Sequence, residues 1–436
     1  RRQRQMCIRD SVCADDITYR AAKANNELAN YYRLSPNITA NTADFDTTWS
    51  LFFAVINHSN TLINKTVLPE NADQAKKFEE VLGEAYFLRG LSYFYLVRMY
   101  GDVPLILAET DASTYMPRTA VAEIYDQAII PSLKKAVEIL PAKSRSGFSS
   151  TPSKWAAEAC LADAYMTMAG WPLKRGQEYY SLAAAAAKDI IDNSGLYLTE
   201  EYAELWKEAN KAQPNEVMFA IHHNAKMKTA SNYGKSYYPS DFAPNAGWSD
   251  YYANESFFLN YPDDARKEWN YMTEWETKNG HVTYKESADK LPAISKYYDY
   301  DNGAPGKSAQ ANGITCIYRY ADVLLMYAEA STRATNSVNA QALDAIQKVQ
   351  KRAGYAQDQL TTTTDPTAFT TAVFNERGWE FFAEMKRWFE LVRLEKVSEV
   401  RAETWNGSLF QSNNHYYFPI PYQQIRLTQW TNNAGY

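Results

Sequence analysis

Trp248, Tyr251 and Tyr252, with Tyr237 and Tyr238 just upstream, crowd into one stretch beside Asp241, Asn245 and Asp250. That mixture has a recognisable chemistry. A pyranose ring has C–H-rich faces that pack on an aromatic plane, and its hydroxyls need planar polar partners. Tryptophan and tyrosine supply the first; aspartate, asparagine and arginine supply the second. Polar residues at 37–46, among them Asn41 and Asp44, could form an opposite wall. Any single ring can equally belong to a satellite core beneath long loops. As a group, rings carried on scaffolded loops point to ligand contact. The expected binding residues are therefore Trp248, Tyr251, Tyr252, Tyr237, Tyr238, Asp241, Asn245, Asn41 and Asp44.

Other constellations carry less. Glu376, Arg377, Glu380, Glu384, Arg387 and Arg393 have the residue types of an acid–base site. On a helix, Glu376–Glu380 and Glu380–Glu384 are like-charge neighbours with arginines close by, the pattern of an ion-pair network between packed helices. Asp241/Asp250 and Asp263/Asp264 keep a glycoside hydrolase open, since that reaction needs two carboxylates across a cleft. His222 and His223 follow a short strand and point to opposite faces, a poor arrangement for one ion. Gly306-Lys307-Ser308 ends like a phosphate loop, but Asp301 stands where glycine is required. The four cysteines, Cys7, Cys13, Cys160 and Cys316, form no C-x-x-C pair, which argues against zinc and thioredoxin-like chemistry. No catalytic residue, metal or cofactor is expected.

What must position the aromatic stretch is helical. Over 78–104, Phe78, Val81, Ala85, Leu88, Ser92, Tyr95 and Met99 form one stripe, and Phe87, Leu91 and Phe94 a second. Two apolar faces place that helix between neighbours. Gly83, Ala85 and Gly90 let a partner approach, and Gly101 and Pro104 end it. Further helices are expected over 15–30, 49–62, 119–140 (disturbed at Pro131), 154–169 and 177–192, and again from 317 to 394. Pairing of 72–100 with 119–140 and of 154–169 with 177–192, plus a 34-residue interval from Ala120 to Lys154, suggests tetratricopeptide-like repeats. Between 196 and 315 helical periodicity fades and loops take over, with a short strand at 216–221. The 436 residues carry 45 basic and 51 acidic side chains, net −6, which argues against duplex nucleic acid as a partner. No apolar run reaches 18 residues, so no membrane-spanning helix is expected. Residues 1–13 fit nothing that follows and read as a non-native run or a disordered basic tail.

Several blocks in order resemble the starch-utilisation-D/RagB (SusD/RagB) family of Bacteroidetes surface lipoproteins. They are Tyr86-Phe87-Leu88-Arg89-Gly90-Leu91, Tyr100-Gly101-Asp102-Val103-Pro104, Tyr318-Arg319-Tyr320-Ala321-Asp322-Val323-Leu324-Leu325 and Glu376-Arg377-Gly378-Trp379-Glu380-Phe381. Arg387-Trp388-Phe389-Glu390-Leu391-Val392-Arg393, Phe418-Pro419-Ile420-Pro421 and Asn433-Ala434-Gly435-Tyr436 complete the series. The resemblance implies a mainly helical, all-α tetratricopeptide-like scaffold with little β structure. It implies a single domain over 14–436, with scaffold helices at about 15–192 and 317–394 and a loop-rich ligand region at about 196–315. It further implies non-catalytic binding of oligosaccharides, or of peptides in some members. The implied partner is a SusC-like TonB-dependent transporter at the outer membrane. A lipid anchor is expected on the full-length protein; neither Cys7 nor Cys13 has the preceding residues that lipidation requires. A glycoside hydrolase and a peptide-binding helical adaptor remain as alternatives.

Overall fold

The computed structural model describes residues 13–19, 43–109, 116–212, 215–243, 246–298, 312–401 and 416–436. Helices dominate, as the periodicity predicts. The helix Ala72–Tyr100 is capped by the Asn71 side chain, which accepts the Gln74 N–H, and ends at Gly101 with φ +69°. It packs against both the helix Ala43–Lys65 and the helix Ile130–Ile139, the sandwiched position that two apolar faces require. A Cβ on Gly83 or Gly90 would lie 2.9 Å from Leu140 or Leu133, so hydrogen side chains at these positions set the helix spacing. The alanine-rich helix Lys154–Ala169, with Cys160 fully buried, packs on Gln177–Asn193. Tyr320–Thr335 then lies on Gln177–Asn193 and also touches Ala340–Ala353 and Pro366–Glu380, which joins the two helical halves of the chain. Asn339 and Asp365 cap the last two of these helices through the Ala342 and Ala368 N–H groups.

Several local expectations are corrected. Residues 15–19 are not helical: Ile17–Tyr19 is a strand paired antiparallel with Tyr251–Ala253. Cys13, Ala14 and Ile17 are buried, so extended pairing into the insert prevails over a weak local helical pattern. The rest of the expected helix, 20–30, lies outside the described residues. The helix expected over 49–62 starts earlier, at Ala43, among the polar residues of 37–46. At the start of the helix Val121–Ile124, Asp102 Oδ1 accepts the Val121 N–H at 2.9 Å. Pro131 is accommodated by a π-helical turn, Tyr125–Ile129, between Val121–Ile124 and Ile130–Ile139. The wider turn spares the carbonyl that the ring would otherwise strike.

Strand is sparse: among the described residues it forms five two-stranded antiparallel pairs. Val217–His222 pairs with Ile314–Arg319, and the latter runs directly into the helix Tyr320–Thr335. This ladder closes the base of the insert on the scaffold. Cys13, the last residue of the run set apart in the sequence, is buried, and residues 1–12 are outside the described set.

Asp16 ties the N-terminal strand down. Its Oδ2 accepts the Ala383 N–H at 3.2 Å, while Oδ1 is buried without a partner. Burial first, then neighbouring Asp15, push its carboxyl from 3.8 up to about 7. A raised carboxyl favours the protonated folded chain, so its stabilising contribution is complete below pH 3.8 and lost as pH rises through about 7. Asp16→Asn is therefore expected to stabilise the protein at pH 8 by about 1–2 kcal/mol, with the gain shrinking toward pH 4. Melting curves across that range check this; an offset independent of pH would assign Asp16 no titrating role.

Candidate ligand-binding face

The insert is fixed to the scaffold by charge. Arg266, with no exposed surface, bonds Asp264 at 2.7 Å, Glu376 at 2.6 Å and Glu380 at 2.9 Å. Lys296, equally buried, donates to the Phe382 carbonyl and to Glu384, both at 2.7 Å. Arg319 bonds Glu216 at 2.9 Å and Glu384 at 2.8 Å and also pairs with Glu380. A second set links Arg377 to Glu390, Arg387 to Asp15 and Arg393 to Glu329. Burial pushes the Glu380 carboxyl upward, but Arg352, Arg319 and Arg266 overcome that and hold it at about 2. Burial lowers Lys296 to about 8 against the pull of Glu384. The first set joins insert to helices and the second joins helices to one another and to Asp15; together they are the network read from Glu376, Arg377, Glu380, Glu384, Arg387 and Arg393. Sequence showed the carboxylates but not their main partners: Arg266, Lys296, Arg319 and Arg352 lie far from them in the chain.

On this frame the aromatic stretch folds back on itself. Tyr233, Tyr237 and Tyr297 form a stack with centroids 5.0–6.1 Å apart, and Tyr238 packs on Phe242 and Tyr298. Backbone bonds knit the loop to the short helix Tyr233–Tyr237: Trp248 N–H to Lys235 O at 2.6 Å, Ser249 N–H to Tyr238 O at 3.0 Å, Asp250 N–H to Ser236 O at 2.9 Å. Gly247 makes this possible, since a Cβ there would sit 2.2 Å from the Tyr238 carbonyl oxygen.

The expected site residues therefore separate. Tyr237, Tyr238, Tyr251 and Tyr252 are 2–4% exposed and serve as packing, a correction to their expected role as ligand platforms. Tyr237, Tyr238 and Tyr251 belong to the main core, and Tyr252 to a satellite core with Met272, Trp275, Tyr284 and Ala293, so the area they bury goes into packing. Trp248 is half-buried and Asp241 is exposed. The Lys235 ammonium lies 4.9 Å from the Trp248 ring centroid, and Asp241 Oδ1 accepts the Trp275 indole N–H at 3.1 Å. Asn41 and Asn245 lie outside the described residues; Asp44 belongs to the helix Ala43–Lys65, and its side chain is not among those described. Gly306-Lys307-Ser308 also falls outside them. Lys235 was not singled out from sequence, and nothing in its spacing from Trp248 marks it. His222 Nε2 lies 2.8 Å from Ser149 Oγ and His223 Nε2 2.8 Å from Thr315 Oγ1, and burial lowers both imidazoles, so they are neutral hydrogen-bonding groups at pH 7.

Fold and face together define a class: a tetratricopeptide-like helical scaffold carrying a charge-clamped, aromatic-rich loop insert. Two family models match the chain, "Starch-binding associating with outer membrane" over residues 4–166 and "SusD family" over residues 218–436. The protein belongs to the SusD/RagB family. It is 28% identical to SusD-like protein P2 of Formosa agariphila, covering 89% of this chain and 80% of that one. A SusD superfamily protein from Parabacteroides distasonis superposes with a TM-score of 0.85 at 24% identity, covering 99% and 93% of the two chains. A laminarin-binding SusD-like protein superposes at 0.80 with 21% identity, covering 100% and 96%. Among the described residues no helix is long and apolar enough to cross a membrane.

Proposed function

We propose that this protein captures oligosaccharides at the cell surface and delivers them to a TonB-dependent transporter of the outer membrane, without altering them. The observation that carries the reading is the Trp248 face. A half-buried indole with the Lys235 ammonium beside it is held on a loop whose backbone is bonded to a clamped insert. An aromatic plane with a charged polar group next to it suits a sugar ring, and a site that is rigid before binding loses little ordering entropy. The family match and the laminarin binder of the same fold support the ligand class. Family membership supports the outer-membrane setting and the transporter partner. Against hydrolysis, Asp264 is spent on Arg266 and on capping the helix Ala265–Asn270, and Asp241 accepts from Trp275; neither is poised as a general acid.

Titration calorimetry of the full chain with laminari-, xylogluco- and malto-oligosaccharides tests the proposal. Binding of at least one series is expected, with Kd on the order of tens of micromolar to millimolar because such a site buries little area. Chromatography of the same mixtures should show unchanged oligosaccharides. Shorter products would make the protein an enzyme, and binding of peptides alone would move it to the peptide-receptor reading.

A further inference from the structure

A cavity, sharing no lining residue with the Trp248 face, opens between the loop after the helix Gln177–Asn193 and the end of the helix Ala340–Ala353. Its volume is about 740 Å³, within the range of small-ligand sites. One lip carries Tyr197, Glu200 and Glu201; the other carries Lys348, Lys351 and Arg352. We propose that this cleft is a second carbohydrate site that takes a short neutral segment of the same glycan chain; the ligand class rests on the function proposed above.

Three observations support it. First, the cleft is built rather than incidental. Both lips hang on one buried carboxylate: Glu216 Oε2 accepts the Thr199 N–H at 2.8 Å from the loop and Arg352 Nη1 at 3.1 Å from the helix, while Oε1 accepts from Arg319 at 2.9 Å. A site fixed in this way is preorganised. Second, Arg352 lines the cavity with its side chain only 3% exposed and its guanidinium paired with Glu216 and Glu380, so this wall holds its shape. Third, the lips match a polyhydroxyl ligand. Tyr197 is 56% exposed, unusual for so large a ring next to a cavity, and offers a plane for a sugar face. The charges around it are mixed, Glu200, Glu201, Lys348 and Lys351 all lining the opening. Lys348 is held by Asp344 at 2.7 Å. Mixed signs disfavour a uniformly anionic or cationic polymer and leave carboxylates and ammonium groups as partners for hydroxyls. With two stations on one rigid frame, a long chain that reaches both would bind more tightly than a short one.

The test compares the intact 436-residue chain with its Tyr197→Ala, Lys351→Gln, Trp248→Ala and Trp248→Ala/Tyr197→Ala variants. Affinity gels contain laminarin, xyloglucan or, as an acidic control, polygalacturonate. Calorimetry with a short oligosaccharide of the retarding polymer runs alongside. Tyr197→Ala and Lys351→Gln are expected to weaken polymer binding by about three- to tenfold and to leave the melting temperature unchanged. Trp248→Ala should retain weak binding that the double variant loses. If wild type binds and Trp248→Ala abolishes binding while neither cleft variant changes anything, the cleft proposal falls and the Trp248 site stands. If wild type binds none of the neutral glycans, the parent reading falls and takes the cleft with it. Preference for polygalacturonate would overturn the neutral class. Should Tyr197→Ala lower the melting temperature, Lys351→Gln, at an exposed helix position, still decides.

Discussion

Arg319→Ala is expected to melt at a much lower temperature, with a loss of about 3–5 kcal/mol, the usual cost of removing one partner from a buried ion cluster. Arg319 has no exposed surface. Its Nε and Nη2 bond the two oxygens of Glu384 at 3.0 and 2.8 Å, Nη1 bonds Glu216 at 2.9 Å, and Nη2 also reaches the Glu380 carbonyl at 2.8 Å. Truncation leaves three carboxylates sharing Lys296, Arg266 and Arg352. The pH dependence has a definite sign. Glu380 and Glu384 are held below the ordinary carboxylate range in the intact protein, so their contribution is present above that range and lost as pH falls toward their depressed values. In the variant Glu384 loses its strongest cation and titrates higher. The gap between wild type and variant should therefore narrow as the solution is acidified. Arg319→Lys restores charge but not the planar fork, and is expected to recover less than half of the loss. A change in melting equivalent to under about 1 kcal/mol would mean that the cluster contributes little net stability.

Trp248→Ala is expected to weaken oligosaccharide binding at least tenfold, about 1.4 kcal/mol, while melting within error of wild type. The effect should be confined to binding because the loop is held by main-chain bonds from residues 247–250, which survive the truncation. Tyr251→Ala provides the contrast. Its ring is 2% exposed in the main core, and its removal is expected to cost about 3 kcal/mol of stability. A double variant of Trp248 and Tyr251 would confound the two effects. Calorimetry and melting of the single variants separate them; wild-type affinity in Trp248→Ala would remove this face from the binding site.

Much of the scaffold was legible in the sequence because helical packing leaves a periodic trace. Two stripes on one helix required neighbours on both sides, and Ala72–Tyr100 has them. Glycines at 83 and 90 required a close partner, and Leu140 and Leu133 are there. The N-terminal strand was illegible for the opposite reason. Three residues, Ile17–Tyr19, are too short for a pattern, and their partner lies more than two hundred positions away.

The blocks that revealed the family are contacts within the frame. Phe418 N–H donates to Met99 O at 2.7 Å, and the Asn433 amide donates to the Tyr100 and Phe418 carbonyls at 2.9 and 2.7 Å. A Cβ on Gly101 would meet the Tyr417 ring at 2.9 Å. The Arg319 and Glu380 blocks meet in the buried charge cluster. Sequence by itself thus determined the helical class, the family and the position of the aromatic insert, since backbone geometry and packing confine residue choice at those positions. Only the tertiary structure decided which rings face inward and which stay at the surface. A tyrosine has the same composition in either place, and its burial depends on distant strands and salt bridges that no local spacing encodes.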